Sequence, residues 1–130
     1  MYSATTRNIR VTVQPEFLPD RSVPEQSRYF WAYTIEIANL GGEQVQLRSR
    51  HWKITDARGQ TEDVRGPGVV GEEPVLNPGS AFTYTSGCPL TTPSGIMSGS
   101  YQMELVGGGG FDVVIPPFSL DSPFHTQMVN

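Results

Sequence analysis

The sequence predicts an all-β fold, a sandwich of two antiparallel sheets built from about seven or eight short strands. Three observations carry that expectation. Runs of alternating apolar and polar residues recur along the chain, and none keeps the spacing of an amphipathic helix. Turn-forming residues punctuate these runs at intervals of about 8–12 residues, the rhythm of a sandwich. Glycine and proline are abundant, 14 and 11 of 130 residues, while hydrophobic residues make up 37%. The regular runs between turns separate this composition from that of a disordered chain. One domain covering residues 1–130, with a single core, suits the length.

The first strand is expected at residues 8–14, where Ile9, Val11 and Val13 alternate with Arg10 and Thr12. Residues 15–26, with three prolines, read as a loop. Residues 28–39 form the strongest strand, with Tyr29, Trp31, Tyr33, Ile35 and Ile37 on one face. Leu40, Gly41 and Gly42 read as a hairpin turn into a second long strand at residues 43–55. In that strand Val45 and Leu47 sit on odd positions, Trp52 and Ile54 on even ones. A one-residue bulge near residues 48–51 keeps both pairs on the core face. A turn at residues 56–59 leads to a short polar strand near residues 61–65. Strands at residues 81–86, 99–106 and 111–115 complete the count, the last two joined by four glycines able to take positive φ. Pro116 and Pro117 are expected to limit pairing of the last strand, and the tail after Leu120 to fray. Trp31 or Tyr33, Ile35 and Phe82 are the expected core.

Residues 66–99 hold seven glycines and five prolines, which excludes a helix. After Glu73 no charged residue follows until Glu104. Net charge is −4, unevenly spread: all nine Lys and Arg, with eight acids, lie at or before Arg65. From Gly66 onward there are five acids and no base, so any basic site must come from the first half. An acidic chain of this kind is not a general nucleic-acid binder. The single Cys88 cannot form an internal disulfide, so nothing points to an oxidising compartment. No apolar run approaches the roughly 18 residues of a membrane span, and no signal-peptide core opens the chain. A cytoplasmic protein without membrane contact is expected.

Leu76, Asn77, Pro78, Gly79 and Phe82 resemble the L-x-P-G-x-x-Tyr corner of fibronectin type III domains. There the leucine fills the core under a loop and the aromatic residue starts a central strand; Phe82 lacks the corner hydroxyl. Longer stretches resemble the bacterial ApaG family: RHWKITD from Arg50, GPGVVGE from Gly66, PVLNPG from Pro74 and FTYTSG from Phe82. LTTP from Leu90, SGIMSGSY from Ser94 and IPPFSL from Ile115 follow in the family's order. The resemblance covers nearly the whole chain and implies a fibronectin-III-like or immunoglobulin-like sandwich. It also implies a genetic association with a dinucleoside-polyphosphate hydrolase and a link to cobalt resistance and magnesium efflux. Similar eukaryotic domains, fused to F-box proteins and to a DNA-polymerase-associated protein, resemble protein-interaction modules. No catalytic residue is carried over.

Gly66, Gly68, Val69, Val70 and Gly71 formally match G-x-G-x-x-G. The match lacks the buried strand before it and the helix after it that a dinucleotide site needs. It is read first as a tight structural turn, and second as a weak nest of amides for an anion. Metal ligands are sparse. His51 and His125 are the only histidines, and Glu72 with Glu73, or Asp56 with Asp63, offer at most loose oxygen donors. No metal or other cofactor is expected. Cys88 lacks a neighbouring base in sequence, and Ser86, Thr91 and Ser94 read as turn residues bonding their own backbone, so no enzyme is expected. Arg48, Arg50, His51 and Lys53 around Trp52 make a basic aromatic run, diluted because alternate residues face opposite ways. The favoured function is a non-enzymatic binding module for an unidentified protein, acting as a monomer or weak homodimer. Pro89, Leu90, Pro93, Ile96 and Met97 are the candidate contact surface, or a cap on the domain's own core. The alternative is a sensor or carrier of a polyphosphate nucleotide or divalent cation using residues 66–71.

Overall fold

The computed structural model describes residues 1–124. Its strands form two antiparallel sheets, as the alternation predicts. The first sheet is ordered β1-β2-β3-β7, from β1 (Tyr2–Thr6), β2 (Ile9–Phe17), β3 (Tyr29–Asn39) and β7 (Ala81–Leu90). The second is ordered β5-β4-β8-β9, from β4 (Val45–Asp56), β5 (Thr61–Pro67), β8 (Gly95–Leu105) and β9 (Gly110–Leu120). The two-residue β6 (Val75–Leu76) pairs with the start of β4.

Alternation explains the core. Val11, Val13, Trp31, Ile35 and Ile37 point inward from the first sheet and meet Leu47, Trp52, Met97, Tyr101 and Ile115 from the second. Phe82 packs partly buried against this cluster, and Leu76 is fully inside it, as the corner motif requires. The bulge falls where the change of phase demands it: the β4–β8 register shifts between Leu47 and Ser49, leaving Arg48 as the extra residue.

Several expectations are corrected. β1 has no counterpart in the predicted strands; it pairs with β2 through a turn in which Arg7 and Asn8 take positive φ (46° and 67°). β2 continues through Pro15 to Phe17, past the end of β1, where one edge is open and a proline is tolerated. Two single-turn 3-10 helices, Pro19–Arg21 and Pro24–Gln26, occupy the rest of the expected loop. The residues after Asn39 do not make a hairpin, because β3 and β4 belong to different sheets. The chain instead arches from one sheet to the other around the buried Asn39. Its Nδ2 donates to the carbonyls of Glu43 (2.7 Å) and Leu76 (3.0 Å), and its Oδ1 accepts from the Gly41 amide (3.0 Å).

β7 and β8 also run further than predicted, so much of the uncharged stretch is strand. β9 passes through Pro116 and Pro117 to Leu120, because a register shift between Met97 and Gly99 absorbs both prolines at the sheet's outer edge. After β9 the chain stays attached: Trp31 Nε1 donates to the Asp121 carbonyl (2.8 Å), and Phe124 packs against Phe17 and Tyr29. The rest of the expected tail, with His125, lies outside the described residues.

Candidate functional site

One side of the sandwich is closed and the other is open. β9 packs on β1 and β2, and the Val114 and Ser119 amides donate across that side to Thr6 Oγ1 (3.1 Å) and Tyr2 Oη (3.4 Å). On the opposite side β5 and β7 end their sheets without pairing to each other. A groove follows this gap in two adjoining lobes. The larger, 640 Å³, lies between Ile54, Glu62 and Val64 on one bank and Cys88, Pro89 and Leu90 on the other. The smaller, 360 Å³, lies between the Val69–Gly71 turn and Tyr84. Tyr33, Arg50, Trp52 and Ser86 line both. Such volumes are within the range of small-ligand pockets, about 300–1,000 Å³.

The bulge decides what stands in this groove. With Arg48 as the extra residue, Arg50 falls into phase with Trp52 and Ile54 and faces inward. Its Nη1 donates to the carbonyls of Pro67 (2.9 Å) and Gly68 (2.8 Å), tying β4 to the glycine-rich loop. Nε and Nη2 have no acceptor, and no carboxylate comes within ion-pair reach, among the described residues. Tyr101 is paired with Arg50 in the β4–β8 register, and its hydroxyl meets that of Tyr84 at 2.5 Å across the two sheets. Ser86 is opposite Tyr33 in the β3–β7 register. One guanidinium and the hydroxyls of Tyr33, Tyr84, Ser86 and Tyr101 therefore gather at one level of the sandwich.

Burial raises the pKa of Tyr33, Tyr84 and Tyr101 above 10.0; a hydrogen bond with Ser86 offsets part of this at Tyr33 and one with Tyr101 does so at Tyr84, and the Arg50 charge adds a smaller offset at all three. The fold thus keeps phenolic protons that an unfolded chain loses. Their contribution to stability is complete below pH 10 and is lost as the pH climbs above it. Alkaline titration is expected to show three phenols ionising only together with loss of the β-sheet circular dichroism signal. Ionisation of every tyrosine before that signal changes would contradict the buried cluster.

The structure redistributes the residues picked from sequence. In the glycine-rich loop Gly68, Val70 and Gly71 have positive φ (58°, 44° and 81°), and Gly66 does not. Val69 and Glu72 exchange backbone hydrogen bonds at 2.8 and 2.9 Å, and the Gly68 amide donates to Arg48 (2.9 Å), so three of the loop's amides are already committed. The buried Val69 anchors the turn in the core. Of the candidate contact surface, Pro93 and Met97 are buried. Pro89 points outward from β7 and Ile96 outward from β8, on opposite faces of the sandwich, while Leu90 lines the groove. What converges is one end of each predicted segment: Val69, Val70 and Gly71 border one lobe, Pro89 and Leu90 the other.

The basic aromatic run is dispersed. Arg48 pairs with Glu73 (3.1 Å), His51 with Asp63 (2.8 Å), and Trp52 is buried edge-on against Tyr33 and Phe118. The hydrogen bond from His51 holds the Asp63 carboxyl below the ordinary 3.8. Asp56 Oδ1 accepts from the Arg58 and Gln60 amides (2.9 and 3.0 Å) and so serves its own turn. Among the described residues no three His, Cys, Asp or Glu side chains converge as metal ligands. Burial, with a contribution from Glu62, pushes the Cys88 thiol up to about 11, which suppresses the nucleophilic thiolate. No helix among the described residues is long and apolar enough to cross a membrane.

The fold and this groove define a class: an all-β, two-sheet sandwich open along one side. The ApaG domain model matches residues 19–105. The chain is 62% identical to Protein ApaG of Methylorubrum populi and 63% identical to Protein ApaG of Rhodospirillum centenum, in each case over 130 residues and the full length of both chains. It is also similar to the crystal structure of the ApaA protein of Bordetella pertussis, with a TM-score of 0.86 and 47% identity over 88% of this chain and 94% of that one. The chain belongs to the ApaG family.

Proposed function

We propose that the protein is a non-catalytic binding module that takes up an extended segment of a partner protein along its open side. The groove between β5 and β7 carries this reading. It is bounded by two strands whose outer edges are free among the described residues, and a free edge supplies main-chain donors and acceptors to an added strand. Trp52, Ile54, Val64 and Leu90 offer an apolar floor for alternate side chains of such a segment. The suppressed Cys88 thiol and the committed carboxylates of Asp56 and Asp63 supply no nucleophile or base for catalysis. A single buried cysteine suits a cytoplasmic module, and one copy of the chain suffices for the groove. The alternative of a polyphosphate or divalent-cation carrier is less well served, since one guanidinium is a poor match for several phosphates.

Site-specific photo-cross-linking in cells tests the reading. Probes at Glu62 and Leu90, which line the groove, are expected to trap one discrete protein species. Probes at Thr34 and Lys53, on the outer faces of the two sheets, are expected to trap none. Trapping from the outer faces alone would overturn the proposal.

A further inference from the structure

We infer that the smaller lobe is a carboxylate-binding pocket centred on Arg50, with the hydroxyls of Tyr33 and Ser86 as accessory donors. Four observations converge. The first is the state of the guanidinium. Pro67 and Gly68 fix it by one nitrogen, so its orientation is set, while its Nε–Nη2 edge has no acceptor among the described residues. That edge presents two parallel N–H groups, the geometry that pairs with a carboxylate through both oxygens.

The second is the lining. Tyr33, Tyr84, Ser86, Trp52, Pro67, Val69, Val70 and Gly71 surround Arg50 in this lobe, and none of them is acidic. Asp56 and Glu62 line only the larger lobe. The third is what the hydroxyls do. Tyr84 is engaged with Tyr101, whereas the hydroxyls of Tyr33 and Ser86, opposite each other on adjacent strands, interact only with each other among the described residues and can turn together toward a ligand. The fourth is charge. A single guanidinium balances one negative charge, which a carboxylate carries and a phosphate dianion exceeds, in a protein already at −4.

Two sources present this chemistry: a free small acid, or a glutamate, aspartate or chain terminus of a bound segment. The second source rests on the protein-partner reading above; the pocket itself does not. Gly66 is packed under Arg50, where an added Cβ would lie 3.0 Å from Nη2, so β5 itself sets the guanidinium's height.

The test is an NMR titration of the Arg50 side-chain Nε resonance in the full chain. Acetate and N-acetylglutamate amide are added in separate series, with sodium chloride at matched ionic strength as control. Saturable shifts are expected with both acids and not with chloride, with dissociation constants on the order of millimolar for one such contact. Tyr33→Phe and Ser86→Ala, which each remove one hydroxyl, are expected to weaken binding ~3- to 10-fold. Arg50→Lys is expected to weaken it at least as much, because the paired N–H geometry is lost. Absence of saturation in the wild type, or indifference to both hydroxyl variants, overturns the pocket. Tighter saturation by inorganic phosphate than by either acid overturns the carboxylate assignment. A second arm uses the acetylated, amidated pentapeptide Thr-Val-Glu-Val-Thr and its Gln counterpart. Preference for the Glu peptide over N-acetylglutamate amide assigns the pocket to a bound segment; equal affinity assigns it to a free acid. If the pocket saturates while the groove cross-links nothing, the partner reading fails alone. Cross-linking without saturation removes the pocket alone.

Discussion

Gly68→Ala is expected to destabilise the fold by about 3 kcal/mol, combining backbone strain of about 1 kcal/mol with overpacking of about 2 kcal/mol. Gly68 sits at φ +58°, and a Cβ there would lie 2.2 Å from the Glu72 carbonyl oxygen. The obstacle is backbone held by the Val69–Glu72 hydrogen bonds, so no rotamer change relieves it. In a chain of this size the melting temperature falls by roughly 10 °C. Gly71→Ala provides the internal comparison. Its φ is +81°, yet nothing lies within 4 Å of an added Cβ, so only the conformational cost of about 1 kcal/mol applies. Gly66→Ala differs again: φ is not positive, and the added methyl meets the Arg50 guanidinium at 3.0–3.1 Å. It is expected to move that side chain, and so perturb the smaller lobe, more than it affects stability. Chemical denaturation of the three variants checks the order; equal losses at Gly68 and Gly71 would show that the close approach is absent.

Trp52→Ala is expected to cost about 4 kcal/mol, the loss typical of a large aromatic side chain removed from a packed core. Trp52 is 3% exposed, and its ring meets those of Tyr33 at 5.4 Å and Phe118 at 6.0 Å. It ties the centre of the second sheet to the first and floors the groove. Equilibrium unfolding checks this. A loss under about 1 kcal/mol, the usual range for surface substitutions, would place the indole outside the core.

How far the fold was legible depends on whether local pattern or long-range pairing sets each feature. The face of β3 and the bulge in β4 follow from alternation alone, and both are where the sequence puts them. β1 escapes because its turn uses Arg7 and Asn8 at positive φ, without the glycine that marks such turns. The residues after Asn39 carry hairpin chemistry but make an arch between sheets. The arch that carries the chain to the second sheet is held by a buried asparagine bonded to the Glu43 and Leu76 carbonyls, and turn composition is silent on that. Pro116 and Pro117 stay within β9 because the partner strand yields a register shift at Ser98, which only the pairing reveals.

The site was legible in one particular. Once the bulge reverses the phase of β4, Arg50 must share the inward face with Trp52, and a lone inward arginine is a site signal. Reading residues 48–53 as one basic run obscured it. Convergence of Tyr33, Ser86, Tyr84 and Tyr101 on Arg50 depends on sheet order and on packing between sheets, neither of which leaves a local trace. The two segments chosen for their glycines and apolar residues matter chiefly as the banks of the groove.

Hydrogen–deuterium exchange of the protein with its cross-linked partner, compared with the free chain, tests most directly whether the open side is the binding face. The outer edges of β5 and β7 leave backbone amides without partners among the described residues, and these are expected to exchange fast in the unbound protein. On binding, protection is expected along Thr61–Pro67 and Ala81–Leu90, with the β1–β9 side and both outer faces unchanged. Protection confined to Tyr2–Thr6 and Gly110–Leu120, with β5 and β7 exchanging as in the free chain, would contradict it.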